Sequence, residues 1–220
     1  MKHPQHIFVF DKSRFPLEPG INRIHVAEFK ELAEQSIMLG RRHEMETDER
    51  FGQCLPYIVL KSDKGLFTYT RTKLVGEERL AGNHSVGLGG HVDAFDAQFR
   101  DKSLIDPLAT FAASVGRELN EEVIFISPDG TEYALGMLPQ EDRAGFIPQI
   151  VGIINDTSNE VGRVHYGILM VVNIPDGWNA RCREAELTTV GFVSEPVDGP
   201  YENWSTLAIK FFAENSPETP

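Results

Sequence analysis

Residues 107 to 122, Pro-Leu-Ala-Thr-Phe-Ala-Ala-Ser-Val-Gly-Arg-Glu-Leu-Asn-Glu-Glu, limit the fold more than any other stretch of the chain. Asp106 can cap a helix here, Pro107 suits a first helical turn, and Leu108, Phe111, Ala112, Val115 and Leu119 recur on one side. The spacing predicts a helix from Pro107 to about Glu122 whose apolar face needs a sheet or a second helix to cover it. Its far end is acidic. At roughly 100° per residue, Glu118 and Glu122 stand about 40° apart and Glu121 lies about 60° from Glu118, so the three carboxylates share one sector. Glu122 also falls between Phe111 and Val115 in angle, on the side that faces the core. A carboxylate there loses water beside two like charges, which disfavours its ionised form unless a cation holds it. Hard divalent cations, bound by carboxylate oxygens and by a substrate's own phosphates, meet that need. The plainer alternative is an i,i+4 surface pair of Arg117 with Glu121, the other acids merely solvating the helix.

Strand-like and helix-like runs surround this helix in irregular order. Ile7 to Phe10 reads as a strand, Phe15 to Gly20 as a loop, and Glu28 to Leu39 as a helix with Phe29, Leu32, Ala33 and Ile37 at helical intervals, followed by the charged segment Arg41 to Arg50. Tyr57 to Lys61 and Leu66 to Arg71 read as strands joined by the turn Ser62-Asp63-Lys64-Gly65. Between Gly76 and Gly90 the chain is crowded with glycine, which lets a backbone approach a ligand or ion closely. Later strands are expected at Val123 to Ile126, Glu132 to Leu138, Gln149 to Asn155, Val164 to Ile174 and Thr189 to Val193, with turns at Asp129-Gly130 and Asp176-Gly177 and a last helix near Trp204 to Glu214. A sheet packed between helices fits this order better than regular β-α alternation.

The chain has 220 residues, enough for one buried core with an N-terminal extension. We expect residues 1–52 to form that extension (a strand and a helix), 53–215 the main domain, and 216–220 a loose tail. The formal charge of −12 opposes general attraction to nucleic-acid phosphates, so no duplex nucleic-acid partner is expected. The longest apolar stretch, near Gly167 to Ile174, is far shorter than the roughly 20 residues a bilayer needs, so no membrane partner is expected either. The N-terminus lacks the pattern of a secretory signal, and a cytoplasmic location is expected. Cys54 and Cys182 have no metal-ligand spacing and read as two buried thiols.

Gly89-Gly90-His91-Val92-Asp93-Ala94-Phe95-Asp96, followed by Arg117-Glu118-Leu119-Asn120-Glu121-Glu122, resembles the Nudix box, Gly-x5-Glu-x7-Arg-Glu-U-x-Glu-Glu-x-Gly-U with U apolar. The second half matches at every fixed position from Arg117 to Glu122. Asp96 stands where the box has its first Glu, and Ile124 where it has its second Gly. The interval from Gly90 to Arg117 exceeds the motif's by about 13 residues, placed around Ala97 to Ile105, and a loop of that length moves neither half of the motif because closure cost grows slowly. Val164 to Leu169 and Glu202 to Ser205 also look like segments that follow the box in the family.

The resemblance, to the Nudix hydrolases of MutT type, implies an α+β fold, an α/β/α sandwich with a mixed sheet. It implies a hydrolase that splits a phosphoanhydride in a small nucleotide-like substrate with Mg²⁺ or Mn²⁺. Metal ligands would be Glu118, Glu121, Glu122 and the carbonyl of Gly90; Glu118, Glu121 and Arg117 would be the catalytic set, with Arg117 orienting the glutamates. A further acid from a later loop could join them, and Glu160, Glu184 and Glu186 are candidates. Phe67, Tyr69, Arg71 and Arg79 could line a nucleotide pocket or be plain strand residues, and His91 and His165 read as structural or substrate-contacting. The inserted loop and the N-terminal segment could form a homodimer contact. Two rivals are a catalytically silent Nudix-like module that binds a nucleotide and regulates a partner, and an isomerase on the same fold, which would need a central Cys that neither Cys54 nor Cys182 offers.

Overall fold

The computed structural model describes residues 6–72, 82–102 and 104–215. In chain order the elements are β1 (His6–Asp11), β2 (Gly20–Arg23), α1 (Val26–Ser36), β3 (Ile37–Arg41), α2 (Arg42–Met45), β4 (Phe51–Ser62), β5 (Gly65–Arg71), β6 (His84–Ser85), β7 (Gly87–Leu88) and α3 (Pro107–Glu122). Then come β8 (Val123–Ile126), β9 (Glu132–Tyr133), β10 (Gln149–Asn155), α4 (Glu160–Arg163), β11 (His165–Asn173), β12 (Asn179–Cys182), β13 (Leu187–Val193) and α5 (Asn203–Glu214). Contacts divide the chain into two units: Met1–Ile58, Gly89–Glu118 and Gln149–Met170 in the first, and Val59–Leu88, Leu119–Pro148 and Val171–Pro220 in the second.

The first unit is organised by β1. Its four consecutive apolar residues, Ile7 to Phe10, are all buried, as a run apolar on both faces must be if it is to lie inside a sheet. β1 pairs antiparallel with β3 on one edge, Phe8 opposite Leu39 and Phe10 opposite Ile37, and with the start of β4 on the other. Farther along, β11 follows β4, then β10 and β2, with Ile154 opposite Ile21. Phe10 gathers an aromatic core: its ring is 4.7 Å from Phe15, 6.2 Å from Phe29 and 6.1 Å from Phe111, and Phe29 and Phe111 meet edge to face at 5.1 Å. Phe111 is the residue by which α3 enters this core, and its helix starts as expected, Asp106 Oδ1 accepting the Ala109 amide at 3.2 Å.

The second unit holds the expected hairpin, with Lys61 of β4 opposite Leu66 of β5. β13 lies on the other side of β5, and β6 also pairs with β5. A small sheet of β12, β8 and β9 packs Phe125, Phe146 and Trp178 in edge-to-face contact at 4.8 and 5.0 Å. α3 and β10 have the expected bounds. Among the described residues, no helix is long and apolar enough to cross a membrane.

Two expectations about elements are corrected. The helix expected from Glu28 to Leu39 stops at Ser36, and Ile37 to Leu39 run extended as β3, because their backbone ladder is taken by β1, a partner far away in sequence that helical periodicity does not register. The strand expected from Glu132 to Leu138 ends at Tyr133, and Leu135–Met137 is a 3-10 turn. There the Gly136 amide donates to Asn120 Oδ1 at 2.9 Å, while Arg143 donates to the carbonyls of Gly136 and Leu138, so side chains satisfy the backbone in place of a neighbouring strand. The tail 216–220 and Arg79 lie outside the described residues.

Phe111→Ala should cost about 3–5 kcal/mol, since it opens a cavity among Phe10, Phe29 and the base of α3. Urea unfolding measures this, and a midpoint equal to that of the parent chain would show that α3 is not anchored through this ring.

Candidate active site

The Gly-rich segment is laid down between two strands of the first unit. The Val92 amide donates to the Cys54 carbonyl of β4 at 3.1 Å, and the Phe8 amide of β1 donates to the Val92 carbonyl at 2.8 Å. Gly89 has φ +137°, and a Cβ on it would lie 2.1 Å from the Pro56 carbonyl oxygen, so only glycine lets the chain pass here. At Gly90 a Cβ would lie 2.6 Å from Glu118 Oε1. The turn and the first of the helix carboxylates thus meet where a side chain is missing. The segment then closes on a 3-10 turn, Ala94–Asp96, in which the Asp93 side chain accepts from the Asp96 amide and Asp96 Oδ2 accepts from the Asp93 amide at 2.9 Å. This reciprocal cap fixes Asp96 on the turn.

Arg117 joins turn to helix. Its Nε and Nη2 donate to the two oxygens of Asp96 at 3.1 and 2.9 Å, Nη2 also donates to the His91 carbonyl at 3.0 Å, and Nη1 donates to Glu118 Oε1 at 2.6 Å. A planar fork with five donors is what this set of acceptors needs, and lysine cannot supply it. The hydrogen bonds to Asp96, then the negative charge of Glu118, raise the pKa of the Arg117 guanidinium against the effect of burial. Asp96 and Glu118 are both buried. Asp96, which stands at the first Glu of the box, is therefore the partner of Arg117, and the shorter side chain reaches because the capped turn brings its backbone close. The exposed ring of Phe95 lies 5.1 Å from the guanidinium.

After this turn, the described residues at either end of the inserted stretch 97–105 come together. Phe99 and Ile105 form an antiparallel bridge, the Asp106 amide donates to the Gln98 carbonyl at 2.8 Å, and the Gln98 amide donates to Thr110 Oγ1 at 3.0 Å. Arg100 ties the excursion to Glu34 of α1 and to Asp106. Its two ends thus meet beside the start of α3.

The last turn of α3 belongs to the second unit. Glu121 is exposed and Glu122 is buried at 8% exposure, the desolvated position that its angle between Phe111 and Val115 predicted. Ile124 needs no glycine's freedom, because the helix runs directly into β8, where Ile124 pairs with Arg181 of β12. The open carbonyls of the helix end are met by Arg183, whose amide donates to Glu122 O at 2.8 Å and whose Nη1 donates to Asn120 O at 2.6 Å. Of the three loop acids, Glu184 lies in this neighbourhood: partial desolvation, then the charges of Glu186 and Glu121, raise its carboxyl above the usual carboxylate range, with Arg71 opposing. Glu160 stands instead at the start of α4 in the first unit, where the hydrogen bond and charge of Glu49, and last the charge of Glu160, raise the Arg163 guanidinium.

Phe67 and Tyr69 are fully buried and offer no ring to a ligand; burial also pushes the Tyr69 phenol up. His91 is bonded to Gln53 Oε1 at 2.9 Å, and His165 to the Val161 carbonyl at 2.6 Å. Both thiols are buried and free. Sequence reasoning missed the Asp93–Asp96 reciprocal cap, although an acidic residue three positions after Asp93 is a readable signal for it. It also missed Arg183, for which a helix with no glycine after it was the only hint. Among the described residues, no group of three or more His, Cys, Asp or Glu side chains is gathered as a ready metal site. The implied donors are nonetheless all oxygens, the kind that hard cations take, and the approach of Gly90 to Glu118 is a cradle that one Cβ would fill.

No family profile matches the chain. Protein YmaB of Bacillus subtilis (strain 168) is 33% identical over 165 residues, which are 73% of this chain and 68% of YmaB. The crystal structure of Tm1382, a candidate Nudix hydrolase, superposes with a TM-score of 0.69 at 22% identity, covering 95% of this chain and 98% of that one. Identity that low speaks for the fold alone, which is the α+β Nudix fold, a mixed sheet with helices. By its identity to YmaB over most of both chains, the protein belongs to the YmaB family.

Proposed function

We propose that the chain is a Mg²⁺- or Mn²⁺-dependent hydrolase that splits a phosphoanhydride bond in a small nucleotide-like substrate, a MutT-like pyrophosphohydrolase whose box carries residues 97–105 as an insertion. The observation that carries this reading is the fork of Arg117, which binds the Gly-rich turn through His91 O and Asp96 while it holds Glu118 Oε1 beside Gly90. A structural salt bridge needs neither a glycine opposite the carboxylate nor the two further glutamates one turn on.

Glu118, Glu121, Glu122 and the carbonyl of Gly90 would hold the cation, and the bound cation would offset charge on the phosphoryl oxygens as the bond breaks. Arg117 holds Glu118 Oε1 beside Gly90. One of the carboxylates of Glu118 and Glu121 would accept the proton of the water that attacks phosphorus as the bridging P–O bond breaks, leaving two phosphate-terminated fragments. Buried free thiols at Cys54 and Cys182 suit a reducing compartment, and we place the activity in the cytoplasm.

A panel of nucleoside triphosphates, ADP-ribose, dinucleoside polyphosphates and capped RNA, assayed with Mg²⁺ or Mn²⁺ and with product identification, tests the reading. At least one member should be hydrolysed, with loss of turnover in a chelator and recovery on adding back the cation. Tight binding of one member without turnover would favour the regulatory binding module instead. Glu118→Gln and Glu122→Gln should each lower kcat by about 100-fold or more, and unchanged turnover in both would remove the site.

Gly90→Ala probes the cradle without altering charge. The added methyl must push the Glu118 carboxylate aside, so activity should fall at least about tenfold while the thermal midpoint moves little. Arg117→Lys keeps the charge and loses the fork, and a similar fall is expected. Full activity in Arg117→Lys would mean that the guanidinium only balances charge.

A further inference from the structure

Gln53 is fully buried in β4, a polar side chain in a strand position that faces Val9 of β1. Its backbone amide donates to the Val164 carbonyl at 2.8 Å. A side-chain amide that has lost its water is costly unless both of its ends are met. Here they are: Gln53 Nε2 donates to the Met45 carbonyl at 3.2 Å, and Oε1 is bonded to His91 Nε2 at 2.9 Å. A carbonyl can only accept, so the amide nitrogen faces Met45, the amide oxygen faces His91, and His91 carries a proton on Nε2. Behind it, the His91 ring meets the buried ring of His165 edge to face at 5.5 Å, and His165 Nδ1 donates to the Val161 carbonyl at 2.6 Å.

His91 is thus held at two points. Its ring is fixed from β4 by Gln53, and its carbonyl accepts from Arg117 Nη2 at 3.0 Å. The next amide, that of Val92, donates to the Cys54 carbonyl at 3.1 Å, one position along the same strand. The Gly90 carbonyl belongs to the same planar peptide as the His91 amide, so what fixes His91 also limits where that oxygen points. From the other side the limit is weak, because Gly89 and Gly90 have no side chain to be gripped and glycine has the widest backbone freedom. An apolar residue at position 53 would satisfy burial, as Ile7 and Val9 do in β1, but it could form no hydrogen bond to the turn.

We propose that Gln53 is a positioning residue for the cation site, acting through the His91 side chain to aim the Gly90 carbonyl. The inference rests on the hydrolase reading above and gives β4 a share in that site. A ligand oxygen set in place beforehand loses no backbone freedom when a cation is bound, so the contribution of Gln53 lies in metal affinity.

Mn²⁺ binding to the full chain by calorimetry tests it, together with the Mg²⁺ concentration that gives half-maximal turnover on the panel member that is hydrolysed. Gln53→Met keeps the length of the side chain and removes both of its hydrogen bonds, while His91→Phe keeps a ring and removes its bond to Gln53. Each should weaken Mn²⁺ by about tenfold and raise the Mg²⁺ requirement by a like factor. The double variant should be no worse than the more affected single one, since both break the same link. Val9→Ala, opposite Gln53 in β1, is the control for packing: it should lower the thermal midpoint and leave Mn²⁺ affinity in place. Parental Mn²⁺ affinity in both Gln53→Met and His91→Phe overturns the proposal, and so does an equal loss in Val9→Ala. If Gln53→Met does not fold, His91→Phe decides alone. No Mn²⁺ binding by the parent chain would sink the hydrolase reading and this inference together. Mn²⁺ binding without hydrolysis of any panel member would sink the hydrolase reading alone, and the titration would still decide Gln53.

Discussion

One guanidinium ties the Gly-rich turn of the first unit to the helix carboxylate beside it. Arg117 reaches two oxygens of Asp96, the His91 carbonyl and Glu118 from a single rigid plane. Burying a charge of this kind costs several kcal/mol unless its donors are met, and here the acceptors come from a turn and a helix separated by a long excursion. The turn must therefore dock on the helix for the charge to be tolerated. The rest follows from that requirement: Gly89 and Gly90 because the turn passes a carbonyl and a carboxylate, the reciprocal cap because Asp96 must not wander, and the closed neck of residues 97–105 because turn and helix must stay in register.

The acids of α3 meet two surroundings. Glu118 is aligned by an arginine next to it in sequence, while in the second unit the charge of Glu121 acts on Glu184 and that of Glu122 on Tyr69. One helix thus presents a pre-aligned carboxylate and, a turn later, a pair whose neighbours are more acid than base. Like charges near one another are costly, and in the hydrolase we propose cations and the phosphates they accompany would offset them.

Much of this was legible from the chain alone, and the reason is periodicity. The bounds of α3 and the burial of Glu122 follow from apolar residues at helical intervals with an aspartate and a proline at the start. The Nudix fold followed from resemblance over the motif and is matched by the superposition on Tm1382. Illegible elements are those whose partners lie far off in sequence. Ile37 to Leu39 have the spacing of a helix, yet become an edge beside β1. Residues 134 to 138 look like a strand and fold into a turn because Asn120 and Arg143 take their backbone groups.

What the sequence determined by itself was local: a helix with acid on its core side, a glycine turn ahead of it, and a strongly negative formal charge. Those depend on residue spacing, which the chain carries without folding. Which acid Arg117 would grip, which loop carboxylate would feel the charge of Glu121, and that Gln53 would reach His91 were decided only in three dimensions. The reason is physical. A hydrogen bond or ion pair depends on distances of a few ångströms between groups that may be a hundred residues apart, and no one-dimensional pattern encodes that approach.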